Sequence, residues 1–440
     1  MAQSITFTVQ PGGRLTGTVR VPGDKSISHR SIMLGSIAEG TTHVSGFLEA
    51  EDALATLKAF RAMGVHIEGP DQGRVVIHGA GLRGLRAPTA PLYLGNSGTS
   101  MRLLAGLLAG QHFDAVLTGD ASLSKRPMRR VTDPLAQMGA RIDTTETGTA
   151  PLVIHGQGTL RPIHYTMPIA SAQVKSCLLL AGLYAEGETA VTEPAPTRDH
   201  TERMLAGLGY AIQRDGNTVR LQGGGRLTAT TIDVPSDISS AAFFLVGASI
   251  AEGSDMVLQH VGINPTRTGV IEILRLMGAD ITLDNERHVG GEPVADLHVR
   301  NAHLRGIEIP EELVPLAIDE FPVLFIAAAC AEGTTRLRGA RELRVKESDR
   351  IQVMADGLAT LGVEVHPTED GMIIHGGQPY QGGAVDSHGD HRIAMAFSIA
   401  ALRAGTPIVI HDCENVNTSF PGFVELASQL GLTIQRSSAT

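Results

Sequence analysis

The stretch Leu54-Ala55-Thr56-Leu57-Lys58-Ala59-Phe60-Arg61-Ala62-Met63-Gly64-Val65-His66-Ile67 reads as a helix, a stop and the start of a strand. Its apolar residues fall three and four apart, as one face of a helix requires. Gly64 follows the last of them and marks a C-cap, because glycine enters the left-handed conformation without strain. The same helix, Leu-Gly or Met-Gly and strand return in Val131–Ile142, Thr201–Ile212, Gly269–Ile281, Ile351–Val365 and Phe423–Ile434. Their glycines are Gly139, Gly209, Gly278, Gly362 and Gly431, at intervals of 75, 70, 69, 84 and 69 residues counted from Gly64. Such a period means one supersecondary unit used six times.

A second helix precedes each of these. It is apolar and Ala-rich, and it ends near Gly40, Gly110, Gly187, Gly253, Gly333 or Gly405. In Ala241–Ile250 and Val323–Ala331 it is apolar nearly all round, so it should be buried on most faces. Each repeat therefore reads strand–helix–strand–helix–strand–strand, the last strand being of the kind seen in Val75–His78, Leu152–His155, Val219–Gln222 and Met372–His375. The sixth repeat lacks that strand, and the alternating Ile5–Val9 at the other end of the chain can supply it. The expectation is an α/β fold of two domains, each of three βαβαββ repeats, with buried helices and outer sheets (an inside-out α/β barrel). Residues 21–235 would carry repeats one to three, and residues 1–20 plus 236–440 repeats four to six.

Composition narrows the function. Of the 440 residues 42% are hydrophobic and 19% charged, which is globular and too long for one ordinary core. The longest apolar runs, such as Ala241–Ile250, are expected to be too short to cross a membrane. The start Met-Ala-Gln-Ser-Ile-Thr-Phe-Thr has neither the basic beginning nor the apolar run of a signal peptide, so a cytoplasmic location is expected. A net charge of −10, no Trp and 4% aromatics argue against nucleic-acid binding. Cys177, Cys330 and Cys413 are scattered and odd in number, which suits small buried thiols rather than disulfides or a metal. Any anionic ligand must then be held by a local cluster of cations.

Those cations stand at the starts of the buried helices. The segments are Lys25-Ser26-Ile27-Ser28-His29-Arg30, Asn96-Ser97-Gly98-Thr99, Ser171-Ala172-Gln173, Ser236-Asp237-Ile238-Ser239-Ser240, Asp319-Glu320 and Gly389-Asp390-His391-Arg392. A helix N-terminus offers unpaired N–H groups and about half a positive charge, so it favours anions. Ser, Asn and Asp there also serve as ordinary caps, and for Ser236–Ser240 capping is at least as good an account. Capping does not explain Lys25, Arg30 and Arg392, whose charge opposes the dipole. Repeat symmetry would aim these ends at one cleft. Two loop runs, Lys125–Arg130 and Arg344–Arg350, add further cations. No P-loop or dinucleotide glycine pattern is present, and Asp386–His391 is a single local cluster, so neither metal nor cofactor is expected.

Taken in order, Pro22–Arg30, Leu94–Arg102, Arg126-Pro127-Met128, Val345–Arg350 and Gly389–Arg392 resemble the 5-enolpyruvylshikimate-3-phosphate (EPSP) synthase family over essentially the whole chain. The resemblance implies transfer of the enolpyruvyl group of phosphoenolpyruvate to the 5-hydroxyl of shikimate 3-phosphate, in the shikimate pathway of aromatic amino-acid biosynthesis. It further implies that Lys25, Ser26, Arg30, Ser171, Ala172, Gln173, Arg198, Asp319 and Lys346 hold shikimate 3-phosphate. Lys25, Asn96, Gly98, Arg126, Gln173, Arg350 and Arg392 would hold phosphoenolpyruvate, and Lys25, Asp319 and Glu347 would be catalytic. It implies no metal, and nothing in the sequence demands more than a monomer. Thr418 stands where the family often has a lysine, while Gly98 stays glycine where glyphosate-tolerant members can carry alanine. A sister enzyme acting on a UDP-amino sugar uses a cysteine on a mobile loop, and Lys125–Arg130 has no cysteine. A non-catalytic anion-binding protein on this fold would have no need of acid–base carboxylates among its cations.

Overall fold

The computed structural model describes residues 4–438, so Met1–Gln3 of the expected N-terminal segment and the last two residues lie outside it. The chain divides into two compact units, one of residues 4–22, 235–288 and 292–438, the other of residues 23–234 with 289–291. Each has its own apolar core.

Six sheets correspond to the six repeats. The second is typical: Leu92–Tyr93 pairs parallel with Ala115–Thr118, followed antiparallel by Leu152–His155 and then Arg141–Asp143. The third repeats this order with His164–Thr166, Glu188–Thr192, Thr218–Gln222 and Gln213–Asp215. In the sixth, Ile5–Val9 lies between Ile408–His411 and Ile434–Ser438, with Phe7 opposite both Ile410 and Arg436. The N-terminal strand thus completes the last repeat, as its alternation suggests.

Two edge strands are placed less obviously. The first sheet takes its parallel edge from Thr231–Asp233, beside Glu39–Ser45, and the fourth takes its own from Thr16–Val19, beside Asp255–Gly262. Each short strand is therefore the last that the chain forms before it crosses out of the unit where it pairs. The fifth sheet has three strands, and isolated parallel bridges at Arg305–Glu332 and Glu308–Arg336 stand where its first would be.

All six glycines of the recurring Gly-strand junction have positive φ, from 82° to 130°. The second set is mixed, because Gly110 and Gly405 are needed for space instead. A Cβ at Gly110 would lie 2.4 Å from Tyr184, and one at Gly405 2.5 Å from Gln381.

Helices Lys25–Ile37, Gly98–Ala109 and Ala172–Gly182 are buried along most of their length in one unit, as are Ile238–Ile250, Phe321–Cys330 and His391–Ala400 in the other. Burying a single leucine of these helices is worth about 1.5–3 kcal/mol, and the inward faces of the strands, such as Ile77, Leu117 and Leu297, join them in each core. The stretch Glu311–Cys330 is long and apolar enough by composition to cross a membrane, contrary to the expectation from run length. It is instead broken into short 3-10 and α turns, and its last helix is a core element. The three cysteines are free, and burial pushes their thiols up, Cys413 to about 12.

Candidate active site

In the unit of residues 23–234, three buried helices carry the polar residues singled out by the sequence at or near their starts. Asp24 caps the first helix, accepting from the Ile27 N–H at 2.8 Å, and Lys25 follows with its ammonium 2.7 Å from Asp52. Arg30 lies in the second turn and is buried. Its guanidinium donates to Thr201 (2.7 Å), Ser176 (3.0 Å) and the Ser26 carbonyl (2.9 Å). Arg198 reaches the Ser26 hydroxyl at 3.3 Å, so Ser26, Arg30 and Arg198 form one group. His29 is enclosed by Thr56, Ser97 and Ser100. Burial, then Lys25 and Arg30, hold its pKa well below the usual imidazole value, which makes it a neutral structural side chain.

The second helix is capped by Ser97, which accepts from the Ser100 N–H. Asn96 donates to Asp120 at 3.0 Å, and Gly98 lies beneath the guanidinium of buried Arg126. The third begins at Ala172 behind the Ser171 cap. Gln173 donates to Thr99 at 3.1 Å while its carbonyl accepts from Arg102, whose other arm donates to the Pro127 carbonyl. Close packing permits this: a Cβ at Gly106 would sit 2.1 Å from the Cys177 carbonyl of the neighbouring helix.

In the other unit, Arg350 is the organising group. Only 1% of its side chain is exposed. It donates through Nε to Asp390 (2.8 Å) and through Nη2 to Glu347 (2.7 Å), and its Nη1 stands 3.4 Å from Asp319. Burial by itself would loosen its proton. Asp390, Glu347 and Asp319 outweigh that and raise its pKa further. Lys346 stands 3.6 Å from Asp319, and burial lowers its pKa against the pull of that carboxylate and Glu342. Three carboxylates thus share one buried guanidinium, with a partly desolvated ammonium beside them.

Asp390 caps the helix that starts at His391, accepting from the Arg392 N–H at 3.0 Å, and also accepts from Ser348. Asp319 does not cap its helix, which begins instead with Pro322 in its first turn. Asp237 does cap, and it accepts from Arg267 as well, so capping suffices for Ser236–Ser240. Thr418, at the position where the family often has a lysine, is buried, and its hydroxyl donates to the Asn415 carbonyl within its own turn.

Asp52, Arg102, Asp120 and Asp390 contact the candidate residues without having been singled out among them by the sequence. Asp52 and Asp120 carry no signal beyond common helix-start or loop chemistry, whereas Arg102 closes the segment Leu94–Arg102 and is a charge inside an apolar helix. Asp390 belongs to Gly389–Arg392, and its place two residues before a dipole-opposing arginine is the available clue. On outer strands, His66, Glu68 and His78, and likewise Glu364, His366 and His375, hold ligand-type atoms within 4.8 Å of one another.

The fold is that of the enolpyruvyl transferases. The enolpyruvyl transferase NikO from Streptomyces tendae matches with a TM-score of 0.79 and full coverage of both chains, and at 18% identity that likeness is one of fold alone. The chain belongs to the EPSP synthase family, whose model, EPSP synthase (3-phosphoshikimate 1-carboxyvinyltransferase), matches residues 9–426. It is 73% identical over 433 residues to the 3-phosphoshikimate 1-carboxyvinyltransferase of Methylococcus capsulatus, covering 98% of this chain and 99% of that protein. The structure of EPSP synthase from Acinetobacter baumannii matches with a TM-score of 0.88 at 64% identity, over 98% of this chain and 100% of that one.

Proposed function

We infer that the protein transfers the enolpyruvyl group of phosphoenolpyruvate to the 5-hydroxyl of shikimate 3-phosphate and releases phosphate, as a step of aromatic amino-acid biosynthesis. Family membership gives the reaction. The observation that carries the chemistry is the sharing of Arg350 between Glu347 and Asp319, with Lys346 alongside.

The reaction protonates the methylene carbon of phosphoenolpyruvate and adds the hydroxyl to the adjacent carbon, giving a tetrahedral intermediate. Loss of a proton from the new methyl then expels phosphate. One group must give and take a proton at carbon, and another must take the hydroxyl proton. Glu347 is assigned the first task and Asp319 the second, with Lys25 as a proton donor. Cations neutralise the anions, and arginine is suited because its planar fork grips carboxylate or phosphate in pairs.

Residues 21–235 form one enolpyruvyl transferase domain and 1–20 plus 236–440 the other. Shikimate 3-phosphate is assigned to Lys25, Ser26, Arg30, Ser171, Ala172, Gln173 and Arg198 of the first, with Asp319 and Lys346 of the second. Phosphoenolpyruvate is assigned to Lys25, Asn96, Gly98, Arg126 and Gln173, with Arg350 and Arg392. The enzyme acts as a cytoplasmic monomer without metal, cofactor, nucleic acid or membrane; its family is a glyphosate target, and for this chain Gly98 and Thr418 give opposite signals of sensitivity.

The test is phosphate release from phosphoenolpyruvate in the presence of shikimate 3-phosphate, with UDP-N-acetylglucosamine as control. Release with the first acceptor only is expected. Release with the UDP-sugar would move the protein to the cell-wall reaction, and release with neither would leave an anion-binding protein.

Gly98 offers a second test. A Cβ there would lie 2.4 Å from Nη1 of Arg126, and the flexible guanidinium would have to move away. Gly98→Ala is therefore expected to raise KM for phosphoenolpyruvate about tenfold, the size of one weakened charge-assisted hydrogen bond. An unchanged KM would show that Arg126 does not act from that position.

A further inference from the structure

An ion network with a buried centre lies beneath the loop that carries Arg198. Lys175, with no exposed side-chain surface, stands 2.8 Å from Glu193 and 3.0 Å from Glu202. Arg214 closes the network from its outer side, 3.0 Å from Glu193 and 3.6 Å from Glu202. Two positive and two negative groups balance. Burying an ion pair usually repays little stability, because desolvation offsets the attraction. A network of this kind therefore invites an account in terms of what it positions.

It holds Thr197 at three points. The Thr197 N–H and hydroxyl both donate to Glu193 Oε1, and the Thr197 carbonyl accepts from Lys175 at 3.4 Å. The next residue is Arg198, whose guanidinium donates to the Ser26 hydroxyl. Thr197 is thus pinned on one side of the loop while Arg198 reaches out on the other. The helix from Ala172 serves both cations of this group: Lys175 anchors Thr197, and Ser176 accepts from Arg30 and is hydrogen-bonded to Thr201.

We propose that Lys175, Glu193 and Thr197 are positioning residues that fix Arg198 for shikimate 3-phosphate, setting affinity for that substrate without touching it. The inference rests on the assignment of Arg198 made above. Its chemistry is that of preorganisation: a guanidinium already held by its backbone loses less freedom when it grips an anion.

Steady-state kinetics of Thr197→Val, Thr197→Ser, Arg198→Ala and the Arg198→Ala/Thr197→Val double variant test it. Thr197→Val removes one hydrogen bond to a buried carboxylate and is expected to raise KM for shikimate 3-phosphate about tenfold. KM for phosphoenolpyruvate and kcat should stay within about twofold, since only binding of one substrate is affected. Thr197→Ser, which keeps the hydroxyl, should restore the original KM. In the Arg198→Ala background, Thr197→Val should add nothing, because nothing is left to position. Lys175→Met with Glu193→Gln, which removes both charges together, is read in the same way should Thr197→Val fail to fold. An effect of equal size without Arg198, or no effect with it, overturns the proposal. Arg198→Ala with unchanged KM would remove the assignment of Arg198 and the proposal with it. Absence of any turnover with shikimate 3-phosphate would instead strike the functional reading.

Discussion

Glu347→Gln is expected to lower kcat by about 10²–10⁴-fold, the range for losing a positioned acid–base group. Glutamine matches glutamate in shape, and its carbonyl can still accept from Arg350 Nη2, which stands 2.7 Å from Glu347. Arg350 also keeps Asp390 and Asp319, so the fold around it should persist. What disappears is the ability to pass a proton to carbon and take it back. KM values should therefore change little while kcat falls, the signature of an interaction made only in the transition state. Exchange of the methylene protons of phosphoenolpyruvate with deuterated water gives a more direct reading. It should be lost in Glu347→Gln and kept, more slowly, in Asp319→Asn. A Glu347→Gln enzyme that retains both exchange and most of its turnover would hand the proton transfer at carbon to another group.

The sequence made the fold legible because the repeat has two independent markers. The glycine after each amphipathic helix must take positive φ, and all six do. The strand missing from the last repeat and the spare strand at the N-terminus identify each other by alternation alone. What could not be read was the sharing of edge strands, with Thr231–Asp233 serving the first sheet and Thr16–Val19 the fourth. Strands this short have little pattern, and pairing across so many residues leaves no local trace. Among site residues, cations that oppose a helix dipole announced themselves, and Lys25 and Arg392 stand at helix starts as expected. Their carboxylate partners did not, since aspartate at a helix start is ordinary capping chemistry. Asp390 shows the difficulty, because it is both a cap and the main partner of Arg350.

That double role sets the second large effect, expected in Asp390→Ala. Asp390 is fully buried and accepts from Arg350 Nε and Nη2, from the Ser348 hydroxyl and from the Arg392 N–H. Removing one member of a buried pair costs about 3–5 kcal/mol, because the other charge stays out of water. Loss of a helix cap contributes about 0.5–2 kcal/mol, partly the same bonds counted again. A marked fall in the urea midpoint is expected, together with a raised KM for phosphoenolpyruvate as Arg350 loses its main support. Asp390→Asn keeps an acceptor for the cap but not the charge, and it should fall between the two. The informative comparison is Asp390→Leu combined with Arg350→Met. Replacing both charges by apolar groups of similar volume removes the desolvation cost of this pair along with its attraction, and because Glu347 and Asp319 lose the same guanidinium, only part of the lost stability should return. Activity should not return. If the double variant were no more stable than Asp390→Ala, Arg350 would be a structural requirement of the carboxylates gathered around it. If stability returns without turnover, the buried guanidinium is kept for the anion it binds, and the core bears its cost for that purpose.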